Sequence, residues 1–256
     1  MNKGIIYEQP LNERIRTFLR LEYLFTLADH YMIGDAEWDN RSLLETLLDI
    51  TDLISRTDIK NELLKELERL ATTLRQLQKN PGVDTDRLEL VLNDIHKFIE
   101  KLRDTYCLPG QALKQNELVS SIKQRNTISG GTCNFDLPAF HQWLNRPLEY
   151  RRKYLEEWQK DLVIIKNSVV LILNLIRNSS HPTTETAIKG FFQKAMEQNT
   201  TCQLILVVTP SDSVYFPEIS AGKHRVTIRF MEQADTTIRS IQTETDVNFK
   251  LHCCLL

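Results

Sequence analysis

The first half of the chain repeats its apolar residues at helical spacing. Residues 12–31 open at Asn12, a good N-cap, and place Ile15, Phe18, Leu19, Leu21 and Tyr23 at intervals that predict a helix. Leu43, Leu44, Leu47, Leu48, Ile50 and Ile54 predict a second. A third begins after Asp58 and carries Leu63, Leu67, Leu70, Leu74 and Leu77 on one stripe, at alternating spacings of four and three. Asn80-Pro81-Gly82 stops it, since proline lacks an amide donor and glycine accepts positive φ. Leu88, Val91, Ile95, Phe98 and Leu102 repeat the stripe, so a short turn between the two predicts an antiparallel helical hairpin. The stripes suit an internal core or, in part, the seam of paired helices.

Asp136-Leu137-Pro138 marks another helix start. Residues 148–178 read as one further helix, apolar nearly all round from Leu162 onward. Leu162–Ile176 and the Leu63–Leu77 stripe exceed what one slim helical layer buries easily, which predicts a homodimer through the helical domain.

The pattern then changes. Asn178-Ser179-Ser180-His181-Pro182 breaks the helix. Short β-prone runs follow at 186–194, 202–208, 214–219, 225–231 and 247–252, separated by turn-forming residues. The expected fold is α+β: a mostly α-helical N-terminal domain over 1–180 and a smaller antiparallel β domain over 181–256. Within the helical part, NTISGGTCNF (126–135) reads as strand and turn, so segment 120–136 is a candidate to join the β domain.

Charge adds one asymmetry. The 256 residues carry 32 basic and 34 acidic side chains, a net charge of −2, which argues against a dedicated nucleic-acid binder. Residues 1–110 hold 15 Lys/Arg and 20 Asp/Glu, leaving 17 and 14 for the rest, so an acidic partner is expected to meet the second half. No run approaches the roughly 18 apolar residues of a membrane span, and no apolar segment marks a signal peptide. Five cysteines, Cys107, Cys133, Cys202, Cys253 and Cys254, without repeated spacing predict free thiols in a reducing compartment.

Most candidate chemistry is weak. Gly130-Gly131 belongs to no phosphate-binding motif and predicts a turn with positive φ. Ser179, His141 and His181 lack any nucleophile elbow or oxyanion loop, so no catalytic residue is assigned. His252, Cys253 and Cys254 with Cys202 and Cys133 contain no C-x-x-C pair, and no metal or cofactor is assigned. The ending CCLL formally fits a prenylation pattern, but Phe249, Leu251 and Cys253 already explain the region as the end of a strand. Arg151-Arg152-Lys153 reads as a wet helix surface.

The segment KHRVTIRFM (223–231) says more. Alternation places Val226, Ile228 and Phe230 on one strand face and Arg225, Thr227 and Arg229 on the other. With the apolar face inward, the two guanidiniums stand outward, ~13 Å apart at about 3.3 Å per residue. They suit either two acidic groups of an extended peptide or a solvated face.

Several segments together, PLNERIRTFLRLEYL (10–24), NELLKELERL (61–70), PGVD (81–84), KQRNTISGGTCNFDLPAFHQWL (123–144), LIRNS (175–179), GFFQK (190–194) and HRVTIRFM (224–231), resemble the ZapD family of bacterial cell-division proteins. The resemblance runs in order along nearly the whole chain. It implies a non-enzymatic, homodimeric cytoplasmic protein at the mid-cell division site. Such proteins bind the C-terminal tail of FtsZ and cross-link its filaments into bundles, with neither nucleic acid nor membrane as partner. Carried over by motif, Arg225 and Arg229 match the two arginines of the strand. Lys114, Lys123 and Arg125 match a basic segment ahead of the glycine pair. The chain departs from the family at Glu117, where relatives commonly carry a basic residue. The alternative is a nucleic-acid-binding regulator using the same strand. Stacking aromatics on the Arg225–Arg229 face would mark it, and the strand itself offers Thr227 there.

Overall fold

The computed structural model describes residues 4–78, 82–196, 202–222 and 224–255. The expected stop at Asn80-Pro81 lies outside them, as do Lys223 of the basic segment and Leu256 of the CCLL ending. The chain divides into two compact units, Phe18–Ile172 and Met1–Thr17 with Leu173–Leu256.

The helices are α1 (Glu13–Ile33), α2 (Glu37–Arg56), α3 (Ile59–Leu77), α4 (Thr85–Arg103), α5 (Gln111–Lys114), α6 (Glu117–Arg125), α7 (Pro138–Leu144), α8 (Leu148–Lys160) and α9 (Val163–Arg177). Asn12 caps α1 as expected: its Oδ1 accepts from the Ile15 amide at 2.9 Å. Asp84 caps α4 through the Arg87 amide at 3.1 Å. Asp58 stands at the start of α3 but accepts from the Asn61 side chain instead, at 2.6 Å. The expected hairpin is α3 packed on α4, tied by Arg103 Nη2 on Glu68 Oε1 at 2.7 Å. On α4 the buried line is Leu88, Leu92, Ile95, Ile99 and Leu102. It follows the four-three spacing of α3 and leaves Val91 and Phe98 half-buried at its edge.

Three expectations for the helical part are corrected. Residues 148–178 form two helices. The break falls at Asp161-Leu162, where the Asp161 carboxylate accepts from the Ala112 backbone at 3.0 Å. Residues 126–136 form turns inside the helical unit, not a strand of the β unit. Gly130 supplies the expected positive φ of 72°. Arg41 Nη1 holds the segment by donating to the Thr132 carbonyl at 3.0 Å and its hydroxyl at 2.9 Å. Arg151 is not a wet surface residue. It is 8% exposed and donates to Asn40 Oδ1 at 2.7 Å and to the Asp35 and Arg146 carbonyls at 3.1 Å each.

The chain itself covers most of the two apolar stretches and leaves Val163 and Val170 of α9 exposed. Leu162, Ile165, Val169 and Ile172 are buried, as are Leu63, Leu67, Leu70 and Leu74.

The strands are β1 (Ile5–Pro10), β2 (Thr183–Ala187), β3 (Phe191–Ala195), β4 (Leu204–Thr209), β5 (Tyr215–Ala221), β6 (Arg225–Glu232), β7 (Ile241–Gln242) and β8 (Val247–Cys254). They pair antiparallel in two sheets, β1-β4-β8-β2 and β3-β6-β5, with β7 on β6. Side chains from both sheets, including Ile205, Val207, Phe249 and Leu251 with Val226, Ile228 and Phe230, share one core. The run expected at 186–194 is two strands in different sheets. The chain reverses at Lys189-Gly190, both with positive φ, and a Cβ at Gly190 would stand 2.6 Å from the Thr243 carbonyl.

The first strand departs from the sequence-based expectation, which puts residues 5–10 in the helical domain. They pair instead with β4, from Ile5–Thr209 to Pro10–Leu204. Glu8 and Arg177 fasten this strand to the end of α9 through two parallel bonds, Nε–Oε1 and Nη2–Oε2, each 2.9 Å.

Candidate functional site

β6 carries the two candidate arginines. Val226, Ile228 and Phe230 are fully buried, while Arg225 and Arg229 are exposed and Thr227 is half-buried between them. Burial of one face therefore projects both guanidiniums from the other, as the alternation predicts.

Register supplies the rest of this face. Arg229 stands between Phe191 on β3 and Glu218 on β5; Thr227 stands between Gln193 and Ser220; Arg225 stands opposite Ala195. Directly opposite residues in an antiparallel pair share a face. The result is a ledge with a cation at each end and hydroxyl and amide groups between. Phe191, 43% exposed, lies beside the second cation. Among the described residues neither Arg225 nor Arg229 has an ion-pair partner; Glu218 lies across from Arg229 without forming one. Two solvated guanidiniums at fixed separation can each take a carboxylate in a forked pair.

Phe191 is the contributor that sequence reasoning missed. The signal was present: Phe191, Gln193 and Ala195 alternate with the inward Phe192. Only the β3–β6 register puts Phe191 beside Arg229.

The other three candidates belong to the helical unit. Lys114 ends α5 and is exposed. Lys123 on α6 pairs with Asp52, and Arg125 Nη1 lies 3.4 Å from Asp136 Oδ1. Being two residues apart on a helix, Lys123 and Arg125 do not share a face. Glu117 opens α6 in its first turn, where a carboxylate suits the helix N-terminus. The strand thus brings Arg225 and Arg229 together on one face, while two of the three helical cations already have carboxylate partners.

Of the residues considered for catalysis, His141 is exposed on α7 and the Ser179 hydroxyl donates to the Ile176 carbonyl at 2.7 Å. All five cysteines are free thiols. Among the described residues no helix is long and apolar enough to cross a membrane.

A family model described as ZapD, cell division protein, matches residues 19–229. Three relatives bear the name cell division protein ZapD. That of Methylococcus capsulatus is 43% identical over 256 residues, all of both chains. That of Nitrosomonas eutropha is 40% identical over 252 residues, 98% of this chain and 100% of its own. That of Aromatoleum aromaticum is 38% identical over 252 residues, 98% of each. With a family match that spans both arginines of β6 and relatives aligned end to end, the chain belongs to the ZapD family of cell division proteins.

Proposed function

We propose that this chain is a non-enzymatic division factor that binds the C-terminal tail of FtsZ through the β6 ledge. It acts as a homodimer that cross-links FtsZ filaments at the mid-cell ring. The carrying observation is the pair of exposed guanidiniums at Arg225 and Arg229, fixed by the burial of the alternate residues. An extended acidic tail lying along β6 meets a cation at each end of a four-residue span. A two-fold dimer presents that site twice, so bivalency follows from symmetry. Each contact can then be weak, because a filament offers many tails and linked sites raise avidity through effective concentration. Lys114, exposed on the helical unit, is a further cation open to an acidic group. Lys123 and Arg125 take part only after exchanging Asp52 and Asp136 for a tail carboxylate.

The test is a titration of a labelled FtsZ tail peptide against the wild type and Arg225→Ala, Arg229→Ala. Exposed side chains usually change stability by about ±0.5 kcal/mol, so the variant should fold normally. Hydrogen bonds to charged groups contribute about 1.5–3 kcal/mol each, and ~1.4 kcal/mol is a factor of ten. Affinity should therefore fall about tenfold or more. Arg→Lys should restore only part of it, because an ammonium lacks the planar fork. A folded double variant with unchanged affinity would move the site to Lys114, Lys123 and Arg125.

One observation favours the nucleic-acid reading: Phe191 is an exposed ring beside Arg229, as base stacking requires. The net charge of −2 opposes it. Salt-sensitive retardation of single-stranded nucleic acid, lost in Phe191→Ala, together with no binding of the tail peptide, would establish it instead.

A further inference from the structure

The β unit contains a second site, built from thiols. A cavity of about 400 Å³ is lined by Ser180, His181, Lys194, Met196, Cys253 and Leu255, among others. Cys253 lies opposite Ile205 in the β4–β8 register and packs against the core shared by the two sheets. Cys202 is buried in that same core.

Their meeting has a local cause. The β4–β8 ladder ends at Leu204–Cys254, and the Gln203 amide donates to the Cys254 carbonyl at 2.8 Å. Cys202 then curls back, its thiol donating to the Leu204 carbonyl at 3.4 Å. From there it packs on the core that Cys253 also packs against, near enough for the two thiols to shift each other's ionisation. Lys194, on the wall of the same cavity, is held by Glu185 at 2.9 Å.

The two sulfurs have opposite environments. The neighbouring Cys202 thiol and the Lys194 ammonium favour the Cys253 thiolate, against burial and the Glu185 carboxylate, and hold that thiol down to about 7. The neighbouring Cys253 and burial push Cys202 well above the ordinary thiol range. Cys254 points to the opposite strand face, is fully buried, lies 3.4 Å from the Ser180 hydroxyl, and is pushed up by burial.

We propose that Cys253 and Cys202 form a peroxide-reactive thiol pair, with Cys253 the attacking sulfur at the cavity and Cys202 the resolving one. In the first step the Cys253 thiolate attacks an oxygen of a hydroperoxide. A sulfur–oxygen bond forms and the oxygen–oxygen bond breaks. The alkoxide or hydroxide leaves and takes a proton from solvent, so sulfur is oxidised to a sulfenic acid and the peroxide is reduced to alcohol or water. In the second step the Cys202 sulfur attacks Cys253. The disulfide forms, the sulfur–oxygen bond breaks, and the hydroxide departs as water with the proton from Cys202. Thiol–disulfide exchange with two small-molecule thiols returns the pair to thiols and leaves those two thiols joined as a disulfide.

The experiment treats the fully reduced chain with a small excess of hydrogen peroxide, alkylates the remaining thiols and maps the products by tandem mass spectrometry. The expected main product is a disulfide joining Cys202 to Cys253. In Cys202→Ser, the same treatment should leave a sulfenic acid on Cys253 that dimedone captures. In Cys254→Ser, the 202–253 link should form as in the wild type. Oxidation arising first at Cys107 or Cys133, a link through Cys254, or alkylatable thiols surviving at both 202 and 253 would each overturn the assignment. The wild-type map decides this without relying on any variant to fold.

Discussion

At the scale of single residues, the alternation on β6 and the burial of Arg151 give opposite lessons about reading charge. The outward direction of Arg225 and Arg229 was legible because period two on a half-buried strand leaves no other arrangement. The burial of Arg151 was not, because its partners are Asn40 and the carbonyls of Asp35 and Arg146, of which only Arg146 is near in sequence. Arg151→Ala should destabilise the helical unit by about 2–4 kcal/mol, since it leaves the buried Asn40 oxygen without this donor. Chemical denaturation measures this, and a change within ~0.5 kcal/mol would contradict the buried assignment. Glu218 gives a second residue-scale prediction. It is the carboxylate directly opposite Arg229 on β5, so in the proposed complex it would repel an acidic tail. Glu218→Gln should tighten the tail peptide about two- to fivefold at low salt, and the gain should shrink as salt screens the charge. A loss of affinity in the peptide titration would show that Glu218 itself holds the tail.

At the scale of elements, local signals served well wherever a segment's period decided its face. The α3–α4 hairpin, the capped start of α1 and the proline-led start of α7 were all legible from the local sequence. Elements defined by a distant partner were not. β1 is a strand because residues 5–10 meet residues 204–209, nearly two hundred positions away, and Glu8, Gln9 and Pro10 carry little strand preference themselves. The interruption between α8 and α9 likewise contains neither proline nor glycine, and its Asp161 carboxylate accepts from the distant Ala112 amide. Anchoring of β1 by Glu8 and Arg177 is testable. Both are about three-quarters buried, and Glu8→Ala should cost about 1–3 kcal/mol through two lost charge-assisted bonds. Amide exchange should show the β1–β4 ladder opening more readily in this variant; unaltered protection there would mean that β1 is held by its strand pairing alone.

At the scale of the whole molecule, a β unit that presents two cations on one face belongs to a chain whose family acts in division. The proposed homodimer does not rest on the inward faces of α3 and α9, since Leu63, Leu67, Leu70 and Leu74, and Leu162, Ile165, Val169 and Ile172, are buried. It rests on the family resemblance, and on the need for two sites if filaments are to be joined. Co-sedimentation with polymerised FtsZ, with and without its C-terminal tail, tests this most directly. The chain should pellet with full-length filaments and draw them into low-speed bundles, and it should stay in the supernatant when the tail is removed. Equal pelleting with tail-less filaments, or binding to full-length filaments without bundling, would contradict the proposed role.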